Sequence, residues 1–276
     1  MGTQLMDAGM APGDCSEVWN IEHPDKVSAI QKRYVDAGAD IILTNTFGAN
    51  RWTLQRHGRE DDVKPLNTEG VKIARKAAGA DRFVAGDIGP TGELTQPYGL
   101  KSEAEFEEIF FEQARALAEA GVDFFFVETQ MAAEELGAAV RAAKKAAKLP
   151  VCATASFSPA SDGAEYRTVM GASVEMVVEA ALAAGADIVG ANCGTIDIRD
   201  MERIVSRIRS VTDKYILVEP NAGKPVVQGT KTIYLQRPEE MAEHVPALLN
   251  AGANIIGGCC GTTPAHIAAI AKIIAG

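Results

Sequence analysis

Aromatic residues make up only 6% of the 276 positions, with tryptophan at two of them, so a core has to be assembled from Ala, Val, Ile and Leu. Positive charge is also in deficit: Lys+Arg 27 against Asp+Glu 37 leaves a net −10. No long basic run interrupts that balance, which argues against nucleic acid or an anionic membrane as partner. No apolar run approaches the roughly 18 residues that a membrane helix needs. The opening Met1-Gly2-Thr3-Gln4-Leu5 has neither the basic nor the apolar stretch of an export signal, so a cytoplasmic location is expected. Five cysteines, two of them adjacent, are too few for a disulfide framework in a chain this long. Two nucleotide-binding fingerprints are missing as well: no Gly-x-Gly-x-x-Gly follows a strand, and Gly-x-x-x-x-Gly-Lys-Ser/Thr does not occur.

What is present is a repeated phrase. Ala37-Gly38-Ala39-Asp40, Ala78-Gly79-Ala80-Asp81, Ala120-Gly121-Val122-Asp123, Ala184-Gly185-Ala186-Asp187 and Ala251-Gly252-Ala253-Asn254 each follow an Ala-rich amphipathic stretch and precede an apolar run. Glycine there stops a helix in the left-handed conformation, and the acidic or amide residue starts a turn into a strand. Strands alternating with helices imply a parallel sheet. The runs at 41–46, 83–88, 124–129, 151–157, 188–192, 216–219 and 255–258 are short and continuously apolar, as strands buried on both faces should be. Helices are expected over 103–119, 132–147, 173–183 and 238–250. No linker or shift in composition divides the series, which predicts one α/β domain over residues 1–276.

Polar chemistry collects at the C-terminal ends of these strands: Asn45-Thr46, Asp87, Glu128, Asn192-Cys193, Glu219-Pro220-Asn221 and Cys259-Cys260. That is the face on which (β/α)8 barrels gather their active sites, so a barrel is favoured over an open sheet. Cys193 and the Cys259-Cys260 pair lie two βα units apart, which places the two strand ends about 10 Å from each other at ~4.8 Å per strand. Three thiols meeting across that gap suit a zinc ion with Zn–S bonds of about 2.3 Å and an open fourth position. A buried cysteine is often only a small apolar residue, and Cys15 and Cys152 are read that way. Adjacent thiols among glycines have little packing to offer, and a vicinal disulfide is strained.

Two segments carry a specific resemblance. Gly190-Ala191-Asn192-Cys193-Gly194 and Gly257-Gly258-Cys259-Cys260-Gly261-Thr262-Thr263-Pro264 resemble the paired zinc signatures of the homocysteine S-methyltransferase family. Thr44-Asn45-Thr46-Phe47-Gly48, Gly86-Asp87-Ile88-Gly89-Pro90-Thr91-Gly92 and Glu219-Pro220-Asn221-Ala222-Gly223-Lys224-Pro225 are similar to one branch of it, the homocysteine-binding barrel of cobalamin-dependent methionine synthases. The resemblance runs from Met1 to the last helix and implies a TIM barrel. It implies Zn2+ on Cys193, Cys259 and Cys260, with homocysteine activated as a zinc-bound thiolate and methylated to methionine. The chemistry is consistent, because a free thiol with a pKa near 8.5 is mostly protonated at neutral pH and zinc deprotonates it outright.

By the same resemblance Glu128 would bind the substrate's ammonium; the alternative is a salt bridge to a loop Arg or Lys. Asp87 and Asn192 would orient ligands or substrate, and Asn45 and Thr46 are candidates for the substrate's carboxylate. The four histidines (His23, His57, His244 and His266) fall outside these motifs and are expected at the surface or in supporting positions. Family members carry an apolar strand ending in Asp-Gly-Ala ahead of Met-Gly-Thr. That first strand is truncated here, which predicts an open edge between the first and last legible strands. The chain has no cobalamin-binding Asp-x-His-x-x-Gly and no room for a folate barrel. The methyl donor would then be methylcobalamin on a separate corrinoid protein, or alternatively S-methylmethionine or betaine. Two other readings stay open: a non-catalytic zinc or corrinoid-docking subunit, and a phosphate-binding barrel lyase or isomerase built on the glycines around Cys259-Cys260.

Overall fold

The structure, a computed structural model, describes residues 1–160, 163, 165–229 and 231–276. Seven strands form one parallel sheet in chain order: β1 (Ile41–Leu43), β2 (Phe83–Ile88), β3 (Phe124–Gln130), β4 (Val151–Ala155), β5 (Ile188–Asn192), β6 (Tyr215–Glu219) and β7 (Ile255–Ile256). Each pairs with the next in parallel register. This is the curled sheet of a TIM-like barrel, with helices on its outer face. All seven expected strands are present. β1, β4 and β7 stop short of the predicted ends, at Leu43, Ala155 and Ile256.

The repeated phrase has a sharper structural meaning than a turn. Its glycines all take positive φ, from 68° at Gly79 to 111° at Gly252, where a side chain would be strained. Three of its acidic or amide residues then cap the neighbouring strand. Asp123 Oδ2 accepts from Val84 N at 2.6 Å, Asp187 Oδ2 from Val151 N at 2.9 Å, and Asn254 Oδ1 from Ile216 N at 2.9 Å. Each side chain thus satisfies a backbone donor at the start of the adjacent strand and fixes the register between two βα units.

The helices Glu103–Ala120, Ala133–Ala146 and Val174–Ala184 lie where the pattern predicts. The expected helix over 238–250 is instead two, Pro238–Ala242 and Val245–Ala251. Pro246 accounts for the break, since it lacks an N–H and its ring would strike the carbonyl one turn back. Two short antiparallel ribbons were not anticipated: Ser158–Pro159 with Tyr166–Arg167, and Val226–Gln228 with Lys231–Ile233. Both grow out of loops at the C-terminal end of the sheet.

Inside the barrel, Ala85, Phe124, Phe126, Cys152 and Leu217 form an apolar plug, with Ile41, Leu43, Ile188 and Ile255 packed against it. Cys152 is fully buried there, as expected of a small core residue. A second and larger apolar layer separates strands from helices. Among the described residues β1 and β7 each have one pairing partner, so a seam lies between them. It is bridged outside the sheet, where Tyr34 Oη donates to Thr262 O at 3.0 Å and Gly38 abuts Ala271. No helix among the described residues is long and apolar enough to cross a membrane.

Candidate metal centre

Three loops at the C-terminal end of the sheet bring the cysteines together. Cys193 directly follows β5 with φ 58°, and its N–H donates to Glu219 O at 3.2 Å. Cys259 N donates to Pro220 O at 3.0 Å, and Cys260 N to Asn221 Oδ1 at 3.1 Å. The segment 219–221 therefore holds both cysteine loops, and the three sulfurs lie within 4.8 Å of one another. Cys193 Sγ is 3.9 Å from Cys260 Sγ, which is 4.0 Å from Cys259 Sγ. Tetrahedral coordination with 2.3 Å bonds requires sulfurs about 3.8 Å apart, so the set fits a metal ion that prefers thiolates. All three are free cysteines. The Cys260 thiol is drawn down by hydrogen bonds from Cys193 and Cys259, while Cys259 is pushed up by its bonds to Cys193 and Cys260 and by burial.

Beside the thiols stands a group of acids. Asp87, at the end of β2, and Glu128, in β3, are buried, and their carboxyls hydrogen-bond to each other. Such a bond between two acids needs a proton on one of them. Burial raises the pKa of Asp87, Glu128 and Glu219, and the charge on Glu128 raises Asp87 and Glu219 further. The hydrogen-bonding partners of the Glu128 carboxyl are Asn192, Thr129 and Asp87, and no Arg or Lys among the described residues pairs with it. The only positive charge acting on these acids among the described residues is the N-terminal ammonium of Met1, which favours their ionised forms.

Asn192 joins the two groups. Its Nδ2 donates to Glu128 Oε2 at 2.5 Å and to Thr129 Oγ1 at 2.7 Å, and lies 3.8 Å from Cys259 Sγ. Its Oδ1 accepts from Thr129 N at 2.8 Å and Thr154 Oγ1 at 2.7 Å. The amide orientation is therefore dictated from both ends.

A family model for homocysteine S-methyltransferase matches residues 1–274. The chain belongs to the homocysteine S-methyltransferase family. Among relatives of this family it is 31% identical over 290 residues to the methionine synthases of Mycobacterium tuberculosis and of Mycobacterium leprae, in matches covering all of this chain. It spans about a quarter of their length, 24% in each case. Among solved structures, the homocysteine methyltransferase MmuM from Escherichia coli in its metallated form aligns over 99% of this chain and 93% of its own. The TM-score is 0.78 and the identity 25%.

Within the homocysteine S-methyltransferase fold seen here, the expected residues divide into two sets. Cys193, Cys259, Cys260, Glu128, Asp87 and Asn192 converge on one site. Asn45 and Thr46 are directed to the scaffold. Asn45 Nδ2 donates to Ser16 O at 2.7 Å and Asn20 Oδ1 at 3.0 Å. Thr46 Oγ1 meets Thr44 Oγ1 at 2.6 Å and donates to Asp87 O at 2.8 Å. His266 is buried, with its ring between Thr263 and Gln236 O, a supporting position. Sequence reasoning did not single out Thr129 or Thr154 as partners of Asn192, nor Tyr234 beside Cys260. Hydroxyl residues inside strands carry no motif, and Tyr234 is separated from the Cys193 signature by a ribbon and from the Cys259-Cys260 signature by two short helices and β7. Glu219 was visible as an acid at a strand end, without a role.

Proposed function

We propose that this chain binds homocysteine with its thiol at a zinc ion held by Cys193, Cys259 and Cys260, and methylates it to methionine. The observation that carries this reading is the placement of three mutually close sulfurs next to a buried acid pair that no Arg or Lys among the described residues pairs with. Homocysteine has both complementary groups, a thiol and an ammonium. Zinc bound by the cysteines would supply Lewis acidity that keeps the substrate sulfur deprotonated at neutral pH. Glu128 and Asp87 receive the ammonium, and Asn192 holds Glu128 in register with Cys259. Thr46 supports the Asp87 backbone, so Asn45 and Thr46 act on the substrate's placement through the scaffold.

The methyl group would come from a methylcorrinoid on a separate protein. The methionine synthase relatives support that donor, and the length of chain they have beyond the matched quarter is where such a module could reside in them. S-methylmethionine or betaine is the second reading, favoured by the extent to which the single-barrel MmuM chain is covered. The test is metal analysis followed by methyl transfer to homocysteine from methylcobalamin, S-methylmethionine and betaine in parallel. One zinc per chain and methionine formed from one donor is the expected result. Metal without transfer from any donor would leave a non-catalytic zinc protein, and absence of metal at the thiols would overturn the reading.

A further inference from the structure

Of the three site cysteines only Cys193 has a positive φ, and the loop behind it is stitched to its neighbours on both sides. Such a backbone persists only where the surroundings hold it. On one side lies the chain after β4. A Cβ on Gly194 would come within 2.1 Å of Phe157 O, Thr195 N donates to Phe157 O at 3.3 Å, and Thr195 Oγ1 donates to Ser158 Oγ at 2.8 Å. On the other side lies the chain after β6, where Asn221 Nδ2 donates to Gly194 O at 2.9 Å. The loop then enters the helix Ile198–Arg209, capped by Asp197. Asp200, in the first turn of that helix, draws the same three segments together. Its Oδ1 accepts from the Tyr166 hydroxyl at 2.9 Å, and Tyr166 is buried in the ribbon after β4. Its Oδ2 accepts from Asp197 N at 3.1 Å and pairs with Lys224 Nζ, from the chain after β6, at 3.0 Å. Lys224 Nζ is also 3.7 Å from Asp197 Oδ2.

We propose that Lys224 is a positioning residue: its ion pair with Asp200 latches the segments after β4, β5 and β6 together and so holds Cys193 Sγ in place beside Cys260. The inference rests on reading the three cysteines as a metal centre. A three-thiolate site keeps its ion only while all three sulfurs stay within coordinating reach. Cys259 and Cys260 are adjacent in the chain, whereas Cys193 arrives on a separate loop. A shift of the helix N-terminus would pass along this short loop to Cys193, whose strained backbone relaxes readily toward negative φ. Lys224 stands between two carboxylates of like charge, and its ammonium offsets their repulsion. Its side chain is half-exposed, so the latch is open to screening by salt.

Transfer of zinc from the loaded protein to the chromogenic chelator 4-(2-pyridylazo)resorcinol reads the latch. At low salt Lys224→Met should release zinc several-fold faster than the wild type. Lys224→Arg, which keeps the charge, should release it at the wild-type rate. Raising salt to about 1 M, where the screening length falls to roughly 3 Å, should speed the wild type toward the Lys224→Met rate and leave that variant unchanged. With cobalt(II) in place of zinc, the visible spectrum of Lys224→Met should depart from that of the wild type as coordination by Cys193 weakens. The melting temperature of metal-free protein should be the same in both. Equal release rates in wild type and Lys224→Met, or a salt response shared by both, overturn the proposal while leaving the metal centre intact. A metal-free Lys224→Met protein that melts well below the wild type assigns the pair to general stability and also overturns it. A wild type that takes up no zinc overturns the metal centre itself, and the role of Lys224 with it.

Discussion

Glu128 Oε2 and Asn192 Nδ2 are 2.5 Å apart, and the same nitrogen is 3.8 Å from Cys259 Sγ. One amide therefore ties the acid pocket to the thiol cluster. The other end of that side chain is anchored on Thr129 N and Thr154 Oγ1, which fixes the spacing between pocket and cluster.

Glu128→Gln tests the acid half of that link. The change keeps the shape and removes the charge. Losing a charged hydrogen bond is worth about 1.5–3 kcal/mol, or roughly ten- to a hundredfold in affinity. Calorimetric titration with homocysteine should show that loss while metal content stays at the wild-type level. 4-Mercaptobutyrate, which has no ammonium, should bind wild type and variant almost equally. Equal weakening of both thiols would assign Glu128 to the scaffold.

For the thiol half, Ala at Cys193, Cys259 or Cys260 should remove most of the zinc, because two thiolates hold the ion poorly. Elemental analysis after dialysis measures it. Near-stoichiometric zinc in Cys259→Ala would exclude that ligand set.

Proton release reports both halves together. Ionisation of the substrate thiol accounts for about one proton at neutral pH. The proton shared by Asp87 and Glu128 should leave as well when an ammonium enters. Calorimetry in buffers of different ionisation enthalpy should therefore give more than one proton for the wild type. Asp87→Asn, which no longer needs the shared proton, should give about one.

The same acids set a pH dependence of stability in metal-free protein. Asp87 and Glu219 titrate above their ordinary values in the folded state, mainly through burial. In the unfolded chain they titrate near pH 4. Between those limits the folded state holds more protons, so their contribution is greatest below about pH 4 and is lost as pH rises through the folded values. Asp87→Asn should flatten this decline, and the difference in urea midpoint between variant and wild type should grow with pH. A pH-independent difference would show that Asp87 does not carry a raised pKa.

Much of this architecture is legible in the sequence because it is local. The Ala-Gly-x-Asp/Asn phrase marks helix ends, and continuous apolar runs mark strands buried on both faces. What the phrase does not reveal is that Asp123, Asp187 and Asn254 cap strands 36 to 39 residues away in the chain. The cysteines are legible as a set because glycines surround them. The Asp87–Glu128 contact is not, since it depends on two parallel strands sharing a register. Tyr234 is hidden for the same reason: Gly261, which its ring meets, lies beyond two short helices and β7 in the chain. Asn45 and Thr46 also follow a strand end. Their position resembles that of the site residues, and their side chains bond Ser16, Asn20 and the Asp87 backbone.

Only two non-glycine residues among those described take positive φ, Thr129 and Cys193, each at 58°. They flank Asn192 in space, one bonded to it and the other next to it in the chain. A backbone held there costs of order 1–3 kcal/mol per residue. The fold thus spends stability at the two points where its chemistry is anchored. Glycine at 129 would relax the chain but remove the hydroxyl that contacts Glu128 and Asn192, and glycine at 193 would remove a sulfur. Selection for thermal robustness alone would erode these positions first, so a hardened version of this scaffold is expected to lose the shape of its site.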